Sequence, residues 1–359
     1  MLSLQCRSPN NAVVQRVLSG ARLAVCLCLA IAPTAAAACN DPDQAIGLSR
    51  VVEIDTNSGP LFGRITKFTN QPTFLKNKEI VLTFDDGPLP KVTNTILKTL
   101  AAHCTRATFF PVGERAVQFP KTIRTIVAAG HTLGSHTWSH PRKMGTLEPG
   151  RARDEIERGF AAVALASGHA IAPFFRFTGL NDDRDLLSYT QVRKVGVFSV
   201  DIVSEDSYAK STSELVRKTI ARAERQKGGI VLFHDLKQVT ARALPTILRE
   251  LKARGFRVVH IVSTNPFRRD RGYDSVLWPR IARRLKSKPS SKGDKAEAIP
   301  APPPILEAPP QDSGIAGIPR VHIRPIQRPF DRKARPATAR KPQPAASGPA
   351  WRTTIGKTQ

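Results

Sequence analysis

The chain has 359 residues, with 55 Lys+Arg against 29 Asp+Glu for a net charge of +26, five cysteines and 41% hydrophobic residues. That apolar fraction supports a sizeable core and excludes a uniformly disordered protein, and five cysteines in such a length exclude a small disulfide scaffold. Beyond residue 40 no uninterrupted apolar run reaches roughly 18 residues, which excludes a polytopic membrane protein.

Residues 1–38 read as an export signal. Arg7, Arg16 and Arg22 precede an apolar stretch from Leu23 to Ala32, followed by Pro33-Thr34 and the small-residue run Ala35–Ala38. Basic, then apolar, then small is the order of a secretory signal, and the apolar stretch is short for a membrane span. An uncleaved membrane anchor is the alternative. Cleavage removes Cys6, Cys26 and Cys28 and leaves Cys39 and Cys104, which can pair in an exported chain. Lipidation of Cys39 is the competing outcome. Residues 39–77 then lead into the main domain.

Between about 75 and 265, apolar β-rich runs alternate with amphipathic stretches. Strands are expected at Ile80–Phe84, Ala107–Pro111, Thr132–Ser135, Phe174–Phe177, Val195–Val200, Ile230–Phe233 and Arg257–Ile261. Helices are expected at Thr93–His103, Arg115–Ala129, Arg151–Ser167, Ser213–Arg225 and Ala241–Arg254. Gly130 and Gly255 sit just past two of them, where a C-terminal cap belongs. Such alternation implies a parallel α/β architecture, and the pattern leaves open whether the sheet is doubly wound or closed into a barrel.

Residues 266–280 read as a linker. From 281 onward the chain holds 14 of its 29 prolines and 16 bases against five acids, the composition of a disordered basic tail. No nucleic-acid-binding motif accompanies this charge. Non-specific contact with anionic envelope polymers or membrane surfaces is therefore expected, rather than a specific nucleic-acid partner.

Chemically capable residues recur at the ends of the predicted strands. Asp85-Asp86-Gly87-Pro88 follows the first and His136 and His140 follow the third. Arg176 ends the fourth, Asp201 follows the fifth, and His234-Asp235 follows the sixth. Parallel α/β folds build their sites on the C-terminal strand ends, so these groups converge. Adjacent carboxylates repel and resist desolvation, a cost that a cation relieves. One of them with His136 and His140 makes a His₂Asp set with open positions, as in hydrolytic metal sites. Taken singly, the histidines are equally consistent with hydrogen-bonded loop residues, and Asp86-Gly87-Pro88 with a turn.

Thr83-Phe84-Asp85-Asp86-Gly87-Pro88, Ser135-His136-Thr137-Trp138-Ser139-His140 and Leu232-Phe233-His234-Asp235 together resemble the polysaccharide deacetylase family, the NodB-homology domain of carbohydrate esterases. The resemblance covers about 78–265. It implies a deformed (β/α) barrel of about seven parallel strands and a divalent metal, usually zinc. It also implies Asp85 as general base, Asp86, His136 and His140 as metal ligands, and His234 as general acid. Arg176 would orient the base, and Asp206 would pair with His234, with Asp201 close enough to leave that choice open. Two positions depart from the family pattern: Thr178 stands in place of a proline, and Ser207 in place of a tryptophan after Asp206. The expected function is an exported deacetylase of N-acetylated envelope or chitin-like glycans. A non-catalytic glycan-binding module and an acetyl-ester hydrolase are the rival expectations.

Overall fold

Strand β3, Glu79–Asp85, is buried at all seven positions, as an apolar run covered on both faces must be. The structure, a computed structural model, describes residues 43–287, 318–327 and 330–333. The expected export signal, Cys39 and most of the Pro-rich tail lie outside the described residues.

Around β3 the chain closes a deformed barrel of seven parallel strands. One edge of β3 pairs along its length with β9 (Gly228–His234), and the other pairs at its C-terminal end with β4 (Thr108–Phe110). From β4 the ring continues to β5 (Thr132–Leu133), and a bridge from Ser135 to Phe175 carries it to β6 (Phe174–Phe175). β6 pairs with β7 (Gly196–Phe198), and β8 (Ile202–Val203) returns to β9. No ladder joins β7 to β8 among the described residues, and this open seam is the deformation. Helices α1 (Pro90–Ala102), α4 (Pro149–Ser167), α6 (Thr212–Gln226) and α7 (Gln238–Ala253) stand where apolar periodicity places them. Phe110, Phe174, Phe198, Ile230 and Leu232 belong to one buried cluster, while Phe84, Ile96, Phe160 and Leu244 belong to a larger one that includes the helices.

Several elements differ from the sequence expectation. The helix expected over Arg115–Ala129 is two, α2 (Gly113–Gln118) and α3 (Pro120–Ala128). Pro120 disfavours a helical conformation at Phe119, which takes φ −128° and ψ 54°. The strand expected over Val195–Val200 ends at Phe198, and β8 and α5 (Arg184–Val192) are additional. The lead-in at 39–77 contributes β1 (Arg50–Ile54) and β2 (Leu61–Phe62), which pair in parallel with β10 (Arg257–Ser263) and β7. In place of a linker ending at 280, α8 spans Asp274–Lys286 and buries Leu277, Trp278, Ile281 and Ala282. Within the expected tail, β11 (Arg320–Ile323) covers the free edge of β1, and Phe330 is buried. An uncovered edge exposes unpaired backbone groups, and four residues suffice to satisfy them. Cys104 is disulfide-bonded, and its expected partner Cys39 lies outside the described residues. No helix among the described residues is long and apolar enough to cross a membrane.

The lead-in is clamped to the barrel by charge. Arg50 Nε and Nη2 donate to the Glu79 carboxylate at 2.9 and 2.7 Å, and Nη2 also reaches the Phe74 carbonyl at 2.9 Å. Both side chains are buried, so removing the guanidinium strands a carboxylate in the core. Arg50→Ala is expected to cost about 3–5 kcal/mol, read as a lower urea midpoint.

Two buried histidines sit where nothing can solvate a charge. His131 Nδ1 accepts from the Ala107 N–H at 3.2 Å, and His260 Nε2 lies 3.1 Å from the Thr132 hydroxyl. Burial, with the Arg106 charge, pushes His131 from 6.5 down to about 3 and His260 well below 6.5. The unfolded chain therefore binds more protons than the folded one from pH 6.5 down to about 3. Stability should fall on acidification through that window, and His131→Asn should reduce the slope by about 1.4 kcal/mol per pH unit in urea unfolding between about pH 4 and 6.

Candidate active site

The strand register sets the first pair of groups. Asp85 on β3 stands opposite His234 on β9, so a carboxylate and an imidazole share one level of the barrel mouth. Asp85 Oδ1 accepts from Arg176 Nη1 at 2.7 Å, and Nη1 also reaches the Thr83 hydroxyl at 2.7 Å. Arg176 Nε donates to the Phe198 carbonyl at 2.8 Å, and the guanidinium lies 4.4 Å from the Phe110 ring centre. Arg176 has no exposed surface at all. A planar cation at that depth persists because its donors are answered.

The next residue turns the chain. Asp86 has φ +72°, and His140 and Thr137 have φ +59° and +70°. Left-handed backbone at non-glycine residues costs on the order of 1 kcal/mol each and survives where its surroundings hold it. Here the Glu155 carboxylate, from α4, takes the Trp138 and Ser139 N–H groups at 3.1 and 2.8 Å and the Ser139 hydroxyl at 2.7 Å. The Thr137 hydroxyl accepts the His140 N–H at 3.0 Å. Gly159, one turn beyond Glu155, lets α4 approach: a Cβ there would lie 2.6 Å from the Thr137 carbonyl carbon.

Held in this way, Asp86 Oδ1 lies 3.4 Å from His136 Nε2 and 3.2 Å from His140 Nε2. His136 Nδ1 is 2.7 Å from the Arg176 carbonyl, which can only accept, so Nδ1 carries the proton and Nε2 presents its lone pair. Burial pushes His136 below its ordinary pKa against the pull of Asp85 and Asp86. Burial raises Asp86, but the close approach of His140 and the charges of His136 and His234 outweigh it and hold the carboxyl well below the usual range. The adjacent Asp86 carboxylate likewise raises His140.

Three observations fit a metal ion here. Asp86 Oδ1 is buried without a hydrogen-bond partner. The three donor atoms lie within 4.8 Å of one another. Tetrahedral ligands about 2.0–2.1 Å from a zinc ion stand about 3.3 Å apart, close to the separations observed from Asp86.

His234 is oriented from the other side. Its Nδ1 is 2.6 Å from Asp206 Oδ1, and its backbone N–H and the Thr240 hydroxyl both reach Oδ2, at 2.7 and 2.6 Å. Burial lowers the imidazole pKa, but the bond and charge of Asp206, with Asp86 and Asp85, raise it to about 9. Asp201 is engaged elsewhere, taking Arg64 Nε at 2.9 Å and the Ile230 N–H at 2.8 Å. Of the two aspartates, Asp206 is the one in contact with His234. Thr178 is buried, and its hydroxyl donates to the Pro141 carbonyl at 2.5 Å, tying the β6 exit to the histidine loop. Ser207 Oγ lies 3.5 Å from His234 Nδ1.

Two carboxylates escaped the sequence reading of roles. Glu155 had a signal, since it and Gly159 stand one turn apart on a face that also carries the apolar Ala152 and Ile156. Asp235 is buried beneath the Asp86 turn, takes the Thr93 hydroxyl at 2.7 Å, and is raised by burial to about 7. It also explains Gly87, where a Cβ would fall 2.0 Å from Asp235 Oδ1. If Asp86, His136 and His140 hold a divalent ion, Glu155→Gln should weaken its affinity roughly 10- to 100-fold, read by competition with a metal-sensitive dye.

A family model for polysaccharide deacetylases matches residues 75–197. A peptidoglycan-N-acetylglucosamine deacetylase of Listeria monocytogenes is 33% identical over 54% of this chain and 40% of its own length. This chain therefore spans less than half of that relative. A chitooligosaccharide deacetylase of Bradyrhizobium is 30% identical over 50% of the chain and 88% of its own length. Among solved structures, a peptidoglycan deacetylase of Bdellovibrio bacteriovorus superposes with a TM-score of 0.56 at 32% identity, covering 62% of this chain and 61% of that one. The barrel, the converged motifs and these likenesses lead to one assignment: the chain belongs to the polysaccharide deacetylase family.

Proposed function

We propose that this chain is an exported, metal-dependent hydrolase that removes N-acetyl groups from an acetylated envelope glycan such as peptidoglycan. One observation carries the reading. A carboxylate paired to a buried arginine and an imidazole paired to a buried carboxylate stand on adjacent strands, beside a His₂Asp group with an unanswered oxygen. The names of the Listeria and Bradyrhizobium relatives support an acetylated glycan as substrate. The basic, apolar and small order of residues 1–38 supports export.

Asp85 is the general base in this proposal. Arg176 occupies its Oδ1 and leaves Oδ2 to accept a proton from the attacking water. His234 is the general acid. With Nδ1–H directed at Asp206, its Nε2–H is presented to the departing nitrogen, and an amine leaves poorly without that proton. Asp86, His136 and His140 would hold the divalent ion, for which zinc suits the donor set, and when bound it supplies Lewis-acid polarisation and a more acidic water.

Acetate release from purified peptidoglycan, glycol chitin and acetylated xylan, with and without a chelator, tests the reading. Release from the first two that is lost on chelation is expected. Turnover of xylan alone favours an esterase, and no turnover on any polymer favours the glycan-binding alternative that Thr178 and Ser207 raise. Asp85→Asn should lower acetate release roughly 10²–10⁴-fold while bound metal, measured by atomic absorption, is retained. An unchanged rate in that variant rejects Asp85 as the base.

A further inference from the structure

A second cavity opens on the same face of the barrel as the proposed catalytic groups. It encloses about 610 Å³, and its walls are the segment after β2, the loop after β5, the loop after β6 with the start of α5, and Arg332. β2, β6 and β7 run parallel, so the exits of β2 and β6 share the barrel mouth. Asp182 also lines a narrow void that has Arg176 on its wall.

The lining carries both signs of charge. Asp182, Asp183 and Asp185 contribute carboxylates, while Lys67, Arg184 and Arg332 contribute cations. Asp182 is 8% exposed, and its Oδ1 is buried with no hydrogen-bond partner, although Oδ2 takes the Thr66 hydroxyl. Burial raises its pKa against the Thr66 hydrogen bond and the backbone N–H and charge of Lys67, and an ammonium or N–H group in the cavity would offset the remaining cost. Lys67 and Arg332 are exposed and are held beside one another by backbone pairing: Phe68 bridges Arg332, and the Lys333 N–H donates to the Lys67 carbonyl at 2.9 Å. Carboxylates and cations lining one cavity suit a ligand that carries both signs of charge.

We propose that this cavity is a subsite for a short zwitterionic peptide branching from the glycan, with its ammonium on Asp182 and its carboxylate on Arg332 and Lys67. The proposal rests on the glycan-deacetylase reading and narrows it to a peptide-bearing polymer. It also gives the C-terminal segment a role, because residue 332 reaches the site only by packing back along residues 67–69.

The test uses the full chain with purified peptidoglycan before and after amidase removal of its stem peptides. The wild type should show a kcat/KM at least about tenfold higher on the peptide-bearing polymer, mainly through KM. Asp182→Asn and Arg332→Ala should bring that ratio close to one. Equal kcat/KM on the two polymers in the wild type would overturn the proposal, as would a variant that slows both polymers alike and leaves the ratio standing. A separate arm titrates the released stem peptides into the protein by calorimetry and does not depend on turnover. If no polymer is deacetylated, peptide binding that Arg332→Ala abolishes upholds the subsite while the catalytic reading fails. Absence of peptide binding together with absence of turnover overturns both.

Discussion

The Arg176 guanidinium lies wholly inside the barrel, and a cation so placed needs every side of it answered. Its neighbours come from three strands: Asp85 and Thr83 on β3, the Phe198 carbonyl on β7, and the ring of Phe110 on β4. Its own backbone carbonyl fixes the tautomer of His136. One side chain therefore sets the ionisation partner of Asp85, while its main chain sets which nitrogen of His136 faces the site. Removing its charge would leave Asp85 buried and unpaired, with consequences for the rest of the mouth.

Opposite Arg176 the site runs on the reverse logic, with negative charge in search of a cation. Asp86 Oδ1 is enclosed without a hydrogen bond, and the histidines around it are held by strained backbone and by Glu155. The strain and the unanswered oxygen belong together. Both persist because β3, β5 and α4 are packed too tightly to let the loop relax. Asp206 provides the same fixing for His234 through three contacts from β9 and α7. The proposed acid and base are thus each oriented by a fully buried partner rather than by solvent-exposed loops.

The two departures from the family pattern make contacts of their own beside the site. Thr178 replaces a rigid ring with a hydroxyl that bonds the histidine loop, so the β6 exit remains tied to the site. Ser207 sits within 3.5 Å of His234 but leaves the Asp206 contacts intact. The mixed charge of the neighbouring cavity, by contrast, comes from residues that carry no motif, and one of them lies more than 130 positions beyond the others in the chain.

Much of the site was legible in the linear chain, because its groups fall at the ends of short apolar strands. Asp85, Asp86, His136, His140, Arg176 and His234 were readable there, since an apolar run ending in a charged residue states both a strand and its exit. What pattern could not decide was pairing. Asp201 and Asp206 look alike in sequence, and only the β8–β9 register sends the first to Arg64 and the second to His234. The partners of Glu155 were likewise undecided by pattern, and β2, with two residues, is too short to show a period. Local composition determines which residues seek burial or an exit. Partners distant along the chain are chosen only when sheet register and close packing bring two backbones together, because that choice depends on geometry no single segment contains.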